Sequence, residues 1–164
     1  MPKSARLRAL DHAVSYLGTK ENPPGSNRGR LIDQWNKAAG VPVGSPWCMS
    51  FLRAMFRKAG VQLGGGASVG FFEEWAVQHG ELIVSRPFKG DIICYRFDSD
   101  NWPDHVGIVE RVLALRWQSR VFAGWVQTVE GNTAWGDDAD GGQVQRRRRW
   151  ISRARFVRIR DPIG

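Results

Sequence analysis

Apolar residues in the first half of the chain recur every three or four positions, which is the period of an amphipathic helix. This period predicts helices over four stretches: 4–17, 31–39, 46–59 and 68 to about 80. Gly18, Gly40 and Gly60 follow the first three stretches, as is typical of helix C-termini, and Ser68 is a suitable N-cap for the fourth. The first half is therefore predicted to be helical.

The pattern changes after residue 80 to short stretches rich in β-branched and aromatic residues, separated by turn-forming residues. Five strands are predicted: 91–97, 105–112, 121–129, 144–150 and 154–159. Helices first and strands second are typical of an α+β fold, in which the helices pack on one face of an antiparallel meander. The length of 164 residues favours a single domain over residues 1–164.

No apolar run is long enough to cross a bilayer, and the first residues are charged where a signal peptide would be apolar. We therefore expect a protein that is made in soluble form in a reducing compartment, where its thiols stay free, and that is not sent through a general secretion route. The net charge of +8 and the pI of about 10.3 indicate attraction to polyanions. Nucleic acid, anionic lipid and acidic cell-wall polymers all remain possible on charge alone.

The predicted helix 46–59 places Cys48 in its first turn. Ser45 is predicted as the N-cap and Pro46 as the first helical residue, while Gly60 is suited to the C-terminus. Unpaired N–H groups and the positive end of the helix dipole favour a thiolate at this position, so Cys48 is a candidate nucleophile. The alternative is that Cys48 is a small buried apolar residue.

The thiol is predicted to lie in line with the apolar stripe of Leu52, Met55 and Ala59 and so to point inward. The opposite, polar face is predicted to carry Ser50, Arg53 and Arg57. The second cysteine, Cys94, lies in a predicted strand and is assigned to the core.

A thiolate nucleophile needs a base, and three histidines are present. His12 and His79 fall on a polar helix side and at a helix end, where surface roles are simpler. His105 begins a predicted strand, from which a rigid sheet could direct an imidazole toward a helix terminus. A third, orienting group is expected on a neighbouring strand; Glu130 is the first choice and Asn132, two residues later on the same face, is the alternative.

Four segments resemble the successive signatures of the CHAP (cysteine, histidine-dependent amidohydrolase/peptidase) and NlpC-type peptidoglycan hydrolases. They are Pro46-Trp47-Cys48-Met49-Ser50-Phe51, Lys89-Gly90-Asp91-Ile92, Asp104-His105-Val106-Gly107-Ile108-Val109 and Val129-Glu130-Gly131-Asn132-Thr133. The resemblance implies a papain-like fold and the catalytic residues Cys48, His105 and Glu130, with Asn132 as the rival or auxiliary third group. It also implies that Glu21, Asn27 and Trp47 lie near the substrate.

Some phage enzymes that resemble this chain bind calcium through acidic residues around the cysteine, but here Ser50 follows Cys48 and no aspartate lies nearby. The acidic segment 137–142 lacks the spacing of a calcium loop and is interpreted as a hairpin turn. Two scattered cysteines and three scattered histidines do not form a zinc pattern. We expect neither a metal nor a cofactor.

The resemblance makes a phage-type endolysin the leading hypothesis: a cysteine amidase or endopeptidase that acts on peptidoglycan. We expect a monomer that does not bind nucleic acid, is made in the host cytoplasm and reaches the wall after release. The run Arg146 to Arg149, interpreted as a hairpin rim, is expected to attract anionic wall polymers or a lipid surface. The alternatives are a secretion-system effector amidase of the same fold and a non-catalytic basic module that binds nucleic acid or wall polymer.

Overall fold

The computed structural model describes residues 2–79, 81–97, 100–118, 121–133, 142–152 and 154–161, which form four helices followed by six strands. The helices are α1 (Ala5–Ser15), α2 (Arg30–Ala39), α3 (Cys48–Lys58) and α4 (Val69–Gln78). The strands are β1 (Leu82–Val84), β2 (Ile92–Tyr95), β3 (His105–Gln118), β4 (Val121–Thr133), β5 (Gln143–Trp150) and β6 (Arg155–Arg158). The predicted α+β class is confirmed.

The helix ends follow the predicted signals. Gly40 and Gly60 have φ values of 77° and 84°, in the left-handed region that glycine enters without a Cβ clash. The Ser68 hydroxyl accepts a hydrogen bond from the Phe71 N–H, which caps α4 as predicted. Local sequence therefore determines where these helices stop and start.

The start of α3 differs from the prediction. The helix begins at Cys48 and its N-cap is Trp47, so Ser45 and Pro46 lie in the preceding loop. No side chain caps the helix, and the Trp47 carbonyl accepts the first helical hydrogen bond, from the Phe51 N–H at 2.9 Å. Tertiary contacts of Trp47, described below, outweigh the local N-cap preference of Ser45.

The strands form one sheet in the order β1-β6-β2-β3-β4-β5 with antiparallel pairing throughout. Strands β2 to β5 form the predicted meander. The prediction of a simple meander is wrong for the last strand, because β6 returns to pair with β2 and also pairs with β1, a three-residue strand that the sequence pattern did not reveal. The acidic segment 137–142 lies, except for Gly142, outside the described residues.

The helices pack on one face of the sheet. Phe51 and Met55 of α3 join Ile108 of β3 and Val129 of β4 in the main core. A second, smaller cluster lies on the opposite face of the sheet and contains Ile93, Tyr95, Val109, Val126, Ile151 and Phe156. None of the described helices is long and apolar enough to span a bilayer.

Asp91, from the motif that precedes β2, links three parts of the fold. Its carboxylate is fully buried and accepts hydrogen bonds from Arg158 of β6 (Nη2 to Oδ2, 2.6 Å), from Arg6 of α1 (Nη1 to Oδ1, 3.2 Å) and from the Phe88 N–H. A buried carboxylate is tolerated when its oxygens are paired in this way. This motif residue therefore has a structural role that ties α1 to the sheet.

Candidate active site

Trp47 fixes the position from which α3 begins. Its indole N–H donates to Glu21 (Nε1 to Oε1, 3.0 Å), and its ring lies 5.8 Å from that of Trp35 and 6.5 Å from that of Phe51. Both Trp47 and Glu21 are buried. The position of Cys48 is therefore set by the preceding residue, Trp47, which is fixed by its hydrogen bond to Glu21 and by its ring contacts.

Cys48 is the first helical residue of α3 and is a free cysteine. The N–H groups of a first helical turn have no acceptor within the helix, and the helix dipole is positive there, so this position favours an anionic side chain. Cys48 is 8% exposed, whereas His105 and Glu130 are fully buried. A substrate would therefore reach the cysteine before the other two residues.

The prediction for the sides of α3 is correct for the apolar stripe, because Leu52, Met55 and Ala59 are all buried. It is wrong for Ser50, which is 1% exposed and packs inside the protein. The polar side of the helix begins instead at Arg53, which donates to the Leu63 carbonyl.

His105 opens β3, directly opposite Tyr95 in the register of β2. Its ring stacks on those of Tyr95 and Phe97, with 5.8 Å between centroids and interplanar angles of 22° and 27°. Its Nε2 atom lies 2.9 Å from Oε2 of Glu130. These contacts fix the plane of the His105 ring, in agreement with the prediction that a rigid sheet holds this imidazole in place.

Glu130 is surrounded by donors on both carboxylate oxygens. Tyr95 donates its hydroxyl to Oε1 at 2.9 Å, and Thr128 donates to the same oxygen at 2.6 Å. Arg149 on β5 donates from Nε to Oε1 at 3.0 Å and from Nη2 to Oε2 at 2.6 Å, a bidentate pairing. The carboxylate is thus held in one position, with one oxygen turned to His105.

The ionisation of this cluster follows from these contacts. Burial by itself would lower the pKa of His105, but interactions with the side chains of Cys48 and Glu130 outweigh burial and raise the pKa from 6.5 to about 9. Burial would raise the pKa of Glu130, but hydrogen bonds from His105 and Arg149 hold it well below its usual range. At neutral pH the pair is therefore imidazolium and carboxylate.

The second ring nitrogen of His105 is the one left for the cysteine. Nδ1 is buried and makes no hydrogen bond, to sulfur included, within the described residues. Because Nε2 is bound to Glu130, Nδ1 is the ring nitrogen available to the Cys48 thiol. The structure thus brings together the three residues selected from the sequence: thiol, imidazole and carboxylate.

Asn132 lies two residues beyond Glu130, is fully buried and has a left-handed backbone with φ of 56°. The bond to His105 Nε2 comes from Glu130. The Asn132 side-chain Nδ2 has no hydrogen-bond partner in the described part of the chain. Its assignment as an auxiliary group stays a prediction.

The three residues predicted to lie near the substrate fall into two groups. Glu21 and Trp47 are bonded to each other and support the start of α3. Asn27 is half-buried in the loop before α2 and has a φ of 54°. A direct contact of any of them with substrate stays a prediction.

Cys94 is in the core, as predicted. It is fully buried, and burial together with the charge of Glu73 raises the pKa of the Cys94 thiol well above its usual value. Cys94 is therefore unreactive compared with a cysteine at a helix terminus.

Sequence reasoning missed Arg149, which was interpreted as part of an exposed rim from Arg146 to Arg149. On β5 the side chains alternate: Arg146 and Arg148 are exposed, while Arg147 and Arg149 are 8% and 7% exposed. The prediction of a rim of four exposed arginines is therefore wrong for Arg147 and Arg149, because successive side chains of a strand point to opposite faces of the sheet. This period of two was the available signal.

Tyr95 and Thr128, which donate to Glu130, were also missed. Burial, followed by the charge of Glu130, raises the pKa of Tyr95 well above its usual value, so its hydroxyl keeps the proton that it donates. Their sequence signal was weak, since each is an ordinary strand residue. Among the described residues no group of three or more His, Cys, Asp or Glu side chains could hold a metal ion.

Comparison with protein-family models matches the CHAP domain over residues 40–132, a stretch that includes Cys48, His105 and Glu130. The chain belongs to the CHAP family. This confirms the resemblance drawn from the sequence motifs. CHAP domains are cysteine- and histidine-dependent amidohydrolases or peptidases, and the family implies peptidoglycan as the substrate. No curated protein and no solved structure gives a significant match to the chain.

Proposed function

We propose that this CHAP protein is a phage-type endolysin that hydrolyses an amide bond in the peptide part of peptidoglycan. It acts as an N-acetylmuramoyl-L-alanine amidase or as a peptidoglycan endopeptidase. The family supports the substrate class, and the site supports thioester chemistry. In this proposal the protein is made in the host cytoplasm and acts on the wall after release.

The observation that carries the proposal is the buried contact between His105 and Glu130, with Cys48 at the start of α3 as the other partner of the imidazole. A structural histidine in a core gains nothing from an ionised, fully buried carboxylate that needs an arginine to balance it. A catalytic imidazolium does need such a partner, because the carboxylate stabilises the charged ring and fixes its orientation.

In the first half of the reaction the Cys48 thiolate attacks the amide carbonyl carbon and forms a tetrahedral oxyanion. His105 then donates its proton to the leaving amine as the C–N bond breaks, which leaves a thioester on Cys48 and a neutral imidazole. In this proposal the oxyanion accepts a hydrogen bond from the backbone N–H of Cys48, which lies in the first turn of α3, and from one further donor.

In the second half a water molecule gives a proton to neutral His105 and adds its hydroxide to the thioester carbonyl. The C–S bond breaks, the product leaves with a new carboxyl group, and Cys48 returns as thiolate beside the imidazolium. Glu130 stays ionised throughout and stabilises His105 whenever the ring is charged.

The test is digestion of purified sacculi by Cys48→Ala and Cys48→Ser variants, with released fragments identified by mass spectrometry. Both variants should remain folded and lose essentially all activity, because neither side chain can form the thioester. Cys94→Ser is the matched control, and it should retain activity since Cys94 is a buried core residue. Release of peptide fragments by Cys48→Ala at the wild-type rate would contradict the proposal, and the fragment masses identify which bond is cut.

A further inference from the structure

The outer surface of the β3–β5 hairpins carries two exposed tryptophans that the catalytic site does not use. Trp125 and Trp150 lie opposite each other in the register of β4 and β5, with their rings 5.6 Å apart at 68°. They are 46% and 48% exposed. Large aromatic side chains left exposed in contact with each other mark a binding surface more often than scattered single ones do.

Two exposed arginines flank this pair on the same side of the sheet. Arg116 on β3 lies opposite Ala123 on β4, and Arg148 on β5 lies opposite Gln127 on β4. Ala123 and Gln127 are each two residues from Trp125 on β4. Side chains two apart on a strand share a face. We call the surface formed by Arg116, Trp125, Arg148 and Trp150 the tryptophan face.

Two cavities lie on the tryptophan face, and Trp125 lines both of them. One cavity of about 250 Å³ is lined by Arg116, Trp125 and Trp150, among others. A second cavity of about 330 Å³ is lined by Trp125 and Arg148 together with Leu113 and Ala114. The first cavity therefore combines two indoles with one guanidinium group, and the second combines one indole with one guanidinium group.

We propose that the tryptophan face binds the glycan strand of peptidoglycan and so holds the protein on its substrate; this rests on the proposed function. A pyranose ring presents an apolar face of C–H groups, which packs on an indole, and a rim of polar groups. Trp and Arg are also the residues that most often dominate binding at protein interfaces. Lactyl carboxylates without a peptide, and the carboxylates of the stem peptides attached to the glycan, complement the two guanidinium groups and the net charge of +8.

Other occupants fit the tryptophan face less well. Single-stranded nucleic acid uses aromatic rings as successive stacking platforms along a cationic groove, whereas these indoles meet edge to face, and Arg146 beside them is paired with Glu110. A second copy of the chain would bring the same arginines and the same positive net charge against this surface.

The test measures binding without cleavage, in the Cys48→Ala background, to peptide-free glycan strands and to sacculi stripped of teichoic acids. Trp125→Ala combined with Trp150→Ala should weaken both binding constants about tenfold or more, since two central aromatic contacts are removed. Trp117→Ala is the matched control, because Trp117 is 63% exposed on the same hairpin but its ring packs on Phe122, away from the tryptophan face. That variant should bind like the parent.

Unchanged glycan binding by the Trp125/Trp150 variant, or an equal loss in Trp117→Ala, overturns the proposal. A loss seen only with DNA, only with anionic vesicles or only in self-association overturns it as well. Circular dichroism and thermal melting establish that the variants are folded. The separate readout for the proposed function is cleavage of a soluble, cross-linked muropeptide, which contains the lactyl amide, stem-peptide and cross-link bonds, by protein with Cys48 intact. The tryptophan variant should cleave it at the same rate as the unmodified protein. Failure of the unmodified protein to cleave it would reject the proposed hydrolase and leave the binding result interpretable.

Discussion

Glu130 and Arg149 form a buried ion pair beside His105, and the contributions of the two residues can be separated by mutation. Removing one partner of a buried pair leaves the other charge unpaired, which destabilises a protein by about 3–5 kcal/mol. The carboxylate also bonds His105 at Nε2, and Arg149 bonds the same carboxylate oxygen. Loss of the pair should therefore affect stability and activity differently.

Glu130→Gln should lower both the free energy of unfolding and the rate of muropeptide cleavage. Adding Arg149→Met should restore much of the stability, because the unpaired buried cation is removed. It should not restore activity, since the imidazolium still lacks its carboxylate. Denaturant unfolding and a soluble-substrate assay measure the two quantities, and full recovery of the rate in the double variant would show that Glu130 has only a structural role.

The pKa of His105 predicts the alkaline limit of activity. In the proposed mechanism the His105 imidazolium donates the proton to the leaving amine. The ring loses this proton as the pH rises through about 9, so the rate should fall there. In Glu130→Gln the limit should move to lower pH, because a neutral amide stabilises the charged ring less. A pH–rate profile on soluble substrate measures both limits, and an unshifted limit in the variant would argue against this assignment.

The same shifts give the pH dependence of stability. The folded-state pKa of His105 is raised, so its contribution is complete below 6.5 and is lost as pH rises through about 9. The folded-state pKa of Glu130 is lowered, so its contribution is present above 4.5 and is lost as the pH falls through its depressed folded value. Thermal melting across this range should show the greatest contribution of the pair between about pH 4.5 and 6.5.

At the scale of elements, the site depends on how closely α3 approaches β4. Gly131 follows Glu130, and a Cβ placed there would lie 2.8 Å from three carbons of the Phe51 side chain. Phe51 is 2% exposed and lies one helical turn beyond Cys48. The missing side chain of Gly131 thus allows the helix that carries the thiol to pack against the strand that carries Glu130.

Gly131→Ala should destabilise the protein by about 1–3 kcal/mol, the usual cost of overpacking a core. It should also reduce activity by displacing α3 from β4. Combining it with Phe51→Leu, which removes volume at the contact, should recover part of the loss. Denaturant midpoints of both single variants and the double variant test this, and strictly additive effects would show that the two residues do not share a contact.

Local signals predicted the helices and their ends well, because Gly40, Gly60 and Ser68 act on neighbouring backbone groups. They failed at the start of α3, where the Glu21–Trp47 bond joins residues 26 positions apart in the chain. They also missed β1, whose three residues are too few for a period and whose strand identity comes from pairing with β6. The sequence could point to Cys48, His105 and Glu130 as candidate site residues because each carries distinctive chemistry. Arg149 could be recognised only from the alternation of inward and outward side chains along β5.

At the scale of the whole molecule, only some of the cations behind the net charge of +8 are free to attract a polymer. Arg149 belongs to the site, and Arg6 and Arg158 bind buried Asp91, so these cations are unavailable to a polymer. Arg116 and Arg148 are exposed on the tryptophan face. Capture of an anionic wall should therefore depend on exposed arginines and be screened by salt.

Digestion of whole sacculi should slow as ionic strength rises, because the Debye length shrinks to about 8 Å at physiological salt. Cleavage of a small soluble muropeptide should change much less, since the reaction inside the buried site does not need surface capture. Arg116→Gln combined with Arg148→Gln should flatten the salt dependence on sacculi. It should not alter turnover of the small substrate, because neither arginine contacts Cys48, His105 or Glu130 in the described structure.

The control for that experiment is Arg30→Gln combined with Arg160→Gln, which removes the same two charges from exposed positions outside the tryptophan face. Both double variants lower the net charge from +8 to +6, that is 8 minus 2. If the long-range field of the whole protein drives capture, the two variants should respond to salt alike. A flattened curve in the Arg116/Arg148 variant alone places the attraction on the tryptophan face, whereas an unchanged curve in that variant would place it elsewhere on the surface.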